Sequence, residues 1–163
     1  MKSTRDGWGT LLLAGLLGLT CADVGSAHPK DTEAELLGKI ARESSPVKKA
    51  KYEIRVARIK LLQAMDSREK EDFEGSVKLL KDYLGHLSNA WGALQNSGRD
   101  AHKNPSGFKE LDIEIREDGR YLEDLRRSVS VMDREPVEKI IGEVERIRGE
   151  VLKKLFPTMA RPE

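Results

Sequence analysis

The chain has 163 residues, with 29 Lys or Arg against 28 Asp or Glu and a formal net charge of +1. This balance excludes the markedly basic domains that bind nucleic acid through their overall charge, so no nucleic-acid partner is expected. Cys21 is the single cysteine, which excludes an intramolecular disulfide and a metal site built from several thiolates.

The N-terminus has the pattern of a secretory signal peptide. Lys2 and Arg5 precede an apolar run at 11–19, and small residues occupy positions 25–27. The run is shorter than the roughly 20 apolar residues that a transmembrane helix needs. We therefore expect cleavage after Ala27 and an exported protein, located in the periplasm or outside the cell.

Cys21 raises the alternative of a lipoprotein signal. Such signals usually have Leu three residues before the cysteine and Gly or Ala directly before it, whereas this chain has Gly18 and Thr20 there. The poor match makes lipidation at Cys21 the weaker expectation. Cleavage after Ala27 would remove the cysteine, and the exported domain would depend on core packing alone.

The first predicted helices have clear start signals. Thr32 and Glu35 can form a capping box ahead of a short helix. Pro46 suits the first position of the next helix, because its missing N–H would have no partner there. That helix, predicted over 46–65, has apolar residues spaced three and four apart at Val47, Ala50, Ile54, Ala57, Leu61 and Ala64.

The predicted 46–65 helix carries a second apolar line as well. A helix that is apolar on more than one side is buried on more than one side, so the short helix or a partner should cover this line. The second line consists of Tyr52, Val56, Ile59 and Leu62.

The apolar pattern restarts in a new phase over 67–97. We expect a break near Asp66-Ser67, with Asp66 and Glu69 as the next capping pair, although one continuous helix over 46–97 stays open. The new stripe contains Phe73, Val77, Leu80, Leu84, Leu87, Trp91 and Leu94.

Two further helices follow the loop predicted at 98–107. The first runs from Phe108 to Met132, and Met65 and Met132 are interpreted as core residues. The second follows Asp133 as its cap, and Phe156-Pro157 ends it.

These patterns together predict an all-α fold, an elongated up-down bundle of four main helices plus a short N-terminal helix. The predicted organisation is a signal peptide at 1–27, an N-terminal segment at 28–45, the bundle at 46–157 and a frayed tail at 158–163.

Candidate chemistry is sparse. Asp82 and His86 have metal-ligand spacing, but their position outside the apolar stripe predicts a solvated pair. Cleavage would make His28 the N-terminal residue, which alone is weak evidence for copper binding. Asp118 interrupts the apolar stripe and is interpreted as the partner of an Arg from a neighbouring helix. The alternative is a functional carboxylate in the bundle interior.

Cofactors are not expected from this sequence. Covalent haem is excluded because the Cys-x-x-Cys-His motif is missing. Non-covalent haem would need a Met or His pair that no spacing argument positions. We therefore predict neither a metal nor a cofactor.

Charge is distributed unevenly along the chain. Residues 46–65 contain six basic side chains and one acidic side chain, whereas 110–124 contain seven acidic and two basic ones. We expect these two helices to pair. If they do not, an exposed surface on 46–65 would attract a partner, or weakly an anionic surface. This candidate interaction surface comprises Lys48, Lys49, Lys51, Tyr52, Arg55, Val56 and Ile59.

The expected function follows from this sparse chemistry. We predict an exported, non-enzymatic protein of the cell envelope with an interaction, scaffolding or chaperone-like role, acting on a protein partner or a second copy of itself. The alternative is a carrier of a small ligand, metal or haem that uses the bundle interior.

Overall fold

The computed structural model describes residues 31–157, which are all-α and contain no strand. This confirms the predicted four long helices and one short helix. The predicted signal peptide and the tail at 158–163 lie outside the described residues. The helices are α1 (Glu33–Arg42), α2 (Pro46–Glu69), α3 (Phe73–Gln95), α4 (Phe108–Ser128) and α5 (Arg134–Leu155).

Cross-helix contacts establish the up-down order. Lys51 and Arg58 of α2 meet Glu110 and Glu114 of α4 in the same chain direction, so α2 and α4 are parallel. The α2–α3 pair runs antiparallel, because the Ser76 hydroxyl near the start of α3 donates to a carbonyl near the end of α2. The long helices have 21 to 24 residues and are therefore about 30–36 Å long.

The break between α2 and α3 lies one turn later than predicted. Asp72, rather than Asp66, caps α3 by accepting a hydrogen bond from the Gly75 N–H at 2.9 Å. Asp66 lies inside α2 and accepts from Lys70 Nζ at 2.6 Å. Glu71 reverses the chain with φ of 63°. The predicted capping pair was wrong because its spacing also occurs within a continuing helix.

α1 packs on α2 and on no other described helix. Leu36 and Val56 are both buried, yet they lie outside the main core of the bundle. Lys60 pairs with Glu33 at 2.7 Å, nitrogen to oxygen. The prediction that the short helix covers the second apolar line is confirmed for Val56, whereas Tyr52 and Ile59 are half-buried and Leu62 is exposed. The capping box between Thr32 and Glu35 that begins α1 is also present.

The main core is formed by α2 to α5. The Trp91 and Phe108 rings meet edge to face with centroids 6.2 Å apart, a favourable arrangement for an aromatic pair. Met65 packs against the core, but Met132 is 90% exposed. The expected core role of Met132 was wrong because α4 ends at Ser128, and the following turn projects into solvent.

One end of the bundle is closed by the 96–107 loop. A Cβ added to Gly107 would lie 2.5 Å from Leu94 Cδ2 and 3.2 Å from Val47 Cγ1, so the loop presses against α2 and α3. His102 Nδ1 lies 3.0 Å from the Leu155 carbonyl oxygen, which joins the loop to α5. We call this the loop end: the start of α2, the end of α3, residues 96–107, the start of α4 and the end of α5. The opposite end is called the turn end.

Candidate functional site

The residues predicted as an interaction surface on α2 occupy different environments. Val56 is fully buried, and its assignment to a surface was wrong because α1 covers it. Tyr52 and Ile59 are half-buried, and Lys39 Nζ of α1 lies 5.9 Å from the centre of the Tyr52 ring. Arg55 is exposed and pairs with Asp31 at 3.2 Å. The apolar part of the predicted surface is therefore mostly occupied by α1.

Lys51 and Arg58 form ion pairs with acidic side chains of α4. Lys51 Nζ lies 2.6 Å from a Glu110 carboxylate oxygen, and Arg58 contacts both Glu114 and Asp118. The expected pairing of the basic 46–65 helix with the acidic 110–124 segment is confirmed at these contacts. Charge here is neutralised within the bundle.

Arg58 and Asp118 form a buried ionic cluster with two tyrosines. Asp118 and Tyr83 are fully buried, and the Arg58 guanidinium lies 4.7 Å from the centre of the Tyr121 ring. The interpretation of Asp118 as the partner of an Arg from a neighbouring helix is confirmed. Such a cluster holds helices together, since breaking one partner leaves a buried charge uncompensated.

Burial controls ionisation within this cluster. Burial raises the pKa of Asp118, although Arg58 opposes the shift. Burial, and then the nearby Asp118 charge, raises the pKa of Glu114 to about 7. Burial also raises the pKa of Tyr83. The Tyr83 hydroxyl and Asp118 Oδ2 have no hydrogen-bond partner of good geometry among the described residues, although the two groups are close enough to influence each other's ionisation.

His86 differs from its predicted role. Its Nδ1 lies 2.6 Å from an oxygen of Glu53, which is only 4% exposed, so α3 turns the imidazole towards α2. Asp82 is exposed as expected, but the two do not form a solvated pair. Glu53 was missed, although it is the single acidic residue in 46–65. Among residues 31–157, no three His, Cys, Asp or Glu side chains gather where a metal ion could bind.

Lys48 and Lys49 remain without an ion pair in the described part of the chain, and they lie at the loop end. Lys49 lines a groove beside Glu43 and Glu53, and further cations lie on the loop, at the start of α4 and at the end of α5, at the same end of the bundle. Apart from the half-buried Lys49, all of these cations are exposed. We call this group the basic end: Lys48, Lys49, Arg99, Lys103, Lys109, Lys153 and Lys154.

Among residues 31–157, fewer acidic than basic side chains lie at this end. Glu110 is engaged by Lys51, and Asp100 reaches Lys103 only at 3.9 Å between two exposed side chains. Glu43 and Glu53 share a groove with Lys49, and Glu53 contacts His86. The basic end therefore retains an excess of positive charge.

Three of these cations lie at helix N-termini, where the helix dipole disfavours positive charge. Lys48 and Lys49 are the third and fourth residues of α2, and Lys109 is the second residue of α4. Helix N-termini favour negative charge, so lysines here weaken their own helices. A residue that opposes the helix dipole, with no ion pair inside the protein to offset the unfavourable charge, is typical of a functional position.

Comparison of the chain with protein-family models, with curated proteins and with solved structures finds no match. None of the helices in residues 31–157 has the length and apolar character needed to cross a membrane. Function is therefore inferred from the geometry and charge of the described residues.

Proposed function

We propose that this chain is an exported, non-enzymatic interaction protein of the cell envelope, and that it binds an anionic partner through the basic end. The observation that carries the proposal is the collection of seven cationic side chains from four segments at one end of the bundle. Clustered charge of one sign raises the local concentration of an oppositely charged partner and speeds its association.

Export is supported by the sequence of the first 27 residues. Cleavage after Ala27 predicts an exported form that begins His28-Pro29-Lys30. N-terminal sequencing of protein from the exported fraction measures this directly. A lipid-modified Cys21 at the N-terminus would contradict cleavage after Ala27, and an uncleaved cytoplasmic protein would contradict export.

Site-specific crosslinking tests the binding surface. A photoreactive residue replaces Lys109 at the basic end or, as the matched control, Lys139 at the turn end. Both side chains are exposed in the structure. We expect crosslinks to an envelope component from position 109 and few from position 139. Equal labelling from both positions, or none from 109, would overturn the proposed surface.

The buried cluster supports a second candidate, a carrier that uses the bundle interior. Asp118 Oδ2 and the Tyr83 hydroxyl are buried polar atoms that lie close to each other, yet neither has a hydrogen-bond partner of good geometry among the described residues. Such atoms in a native protein require an explanation, and a bound ligand is one. Metal content and the visible spectrum of the purified protein test this candidate, and Asp118→Asn should abolish any bound metal. Protein isolated with neither metal nor haem would contradict a metal or haem carrier.

A further inference from the structure

We infer that the anionic partner of the basic end is the headgroup surface of an anionic phospholipid bilayer. This inference deepens the proposed function and rests on it. It follows from which cations are present, from an exposed aromatic beside them, and from their arrangement across one end of the bundle.

The basic end is rich in lysine. Six of its seven members are Lys and one, Arg99, is Arg. Lysine carries a compact point charge without the planar fork that arginine uses for directed contacts. Protein interfaces are depleted of lysine, whereas lysine clusters are attracted to anionic lipid without a fixed geometry. This composition therefore favours a bilayer over an acidic protein.

Phe156 provides an apolar group at the same surface. It directly follows α5, is 47% exposed, and lies next in sequence to a buried Leu155 and close to Lys153 and Lys154. Amphipathic surfaces that bind the membrane interface combine basic residues with Phe, Trp or Leu. A half-exposed phenylalanine among lysines matches that combination.

The arrangement of the cations determines how the bundle would meet the lipid. The start of α2, the 96–107 loop, the start of α4 and the end of α5 all contribute, and these segments meet only at the loop end. Along the side of α2, charges are paired with α1 and α4, whereas the exposed cations on the sides of α3 and α4 do not come together from several segments as those of the loop end do. We therefore expect the bundle to stand end-on to the bilayer, with the turn end directed away from it.

Vesicle binding tests the charge component. The purified exported protein is sedimented with vesicles of phosphatidylcholine alone or with 30% phosphatidylglycerol, at 50 and 300 mM NaCl. Lysines near an anionic bilayer each strengthen binding about fivefold. Replacing Lys48, Lys49, Lys103 and Lys109 by Gln together should therefore weaken binding about 100-fold or more. The matched control replaces the same number of exposed lysines at or near the turn end: Lys70, Lys78, Lys81 and Lys139.

The aromatic component has its own control. Phe156→Ala should weaken binding to the anionic vesicles about tenfold at both salt concentrations, because apolar burial is not screened. Leu62, on α2, is 46% exposed, and Leu62→Ala should leave binding unchanged. Far-ultraviolet circular dichroism of each variant shows that folding is retained.

The outcomes separate the two proposals. No binding to anionic vesicles at 50 mM NaCl, or equal weakening by the two quadruple variants, overturns the lipid inference. If position 109 crosslinks to an envelope protein while vesicles remain unbound, the lipid inference fails and the proposed function stands. If neither assay shows binding at the basic end, both fail.

Discussion

The two ends of the bundle both contain many charged side chains, but they differ in how these side chains are paired. At the turn end, Lys70 pairs with Asp66 and Lys139 with Glu135 one helical turn away, although Lys78 and Lys81 form no ion pair with a described residue. At the loop end, Lys48 and Lys49 have no such partner among the described residues. A net charge of +1 for the chain conceals this difference. Placement, rather than overall charge, therefore identifies a candidate binding surface.

The largest expected effect comes from the core beneath the loop end. Trp91 is buried, packs edge to face on Phe108, and donates from its indole to Glu150 at 2.8 Å. Trp91→Ala should reduce the free energy of unfolding by about 3–5 kcal/mol. Met132→Ala at the turn end should change it by less than about 0.5 kcal/mol. Urea denaturation measures both, and similar losses would contradict the packing described for the loop end.

The second prediction concerns closure of the loop end. Gly107 has φ of 91°, and an added Cβ would meet Leu94. Gly107→Ala should destabilise the protein by about 2–4 kcal/mol, because strain and overcrowding act together. Gly85→Ala, in α3 with open space around it, should instead be stabilising by up to about 1 kcal/mol. A neutral Gly107→Ala would show that the loop does not press on α2 and α3.

The ionic cluster between the two ends should make stability depend on pH. Burial, with the neighbouring Asp118, raises the folded-state pKa of Glu114 to about 7 from its ordinary value of 4.5. The folded protein therefore binds more protons, and this group loses stabilisation as pH rises from 5 to 7, by about 2 kcal/mol. Glu114→Gln should flatten that slope in denaturation series. If the free energy of unfolding of Glu114→Gln changes with pH as in the unmodified protein, groups other than Glu114 cause the pH dependence.

The smallest expected effect is on thermal stability, which the lysines of the basic end should reduce where they lie at helix N-termini. Lys48→Gln removes a positive charge from the N-terminal turn of α2 and should raise Tm by about 1–2 °C. Lys153→Gln, in the last turn of α5, should lower it slightly, because cations suit a helix C-terminus. Differential scanning calorimetry at low salt measures both. Tm shifts of the opposite sign would mean that these lysines stabilise the fold through contacts within the protein.

Features encoded locally were predicted well from the sequence. The capping box at Thr32 and the proline at the start of α2 act within a single turn, and both were found. The role of Asp118 was also recognised, because one charged residue interrupted an apolar stripe. Spacing and capping patterns carry this information without reference to the rest of the fold.

Features created by distant segments were missed. His86 and Glu53 are 33 residues apart, and their contact depends on how α3 is rotated against α2. The basic end combines Lys48 with residues near 103 and 153, which become neighbours only when the bundle closes. Lys48 and Lys49 were predicted as part of an exposed surface along the 46–65 helix. Tertiary contacts, rather than periodicity, position them at an end.

α1 has a consequence for local unfolding. It has ten residues and contacts a single helix, with Leu36 as its one buried residue and ion pairs at its start. Exposed ion pairs weaken with salt, and short helices are marginal alone, so α1 should open far more often than the four long helices. Amide hydrogen exchange in α1 would then be faster than in α3. Each opening would uncover Val56, so the second apolar line of α2 becomes accessible while the main core stays folded.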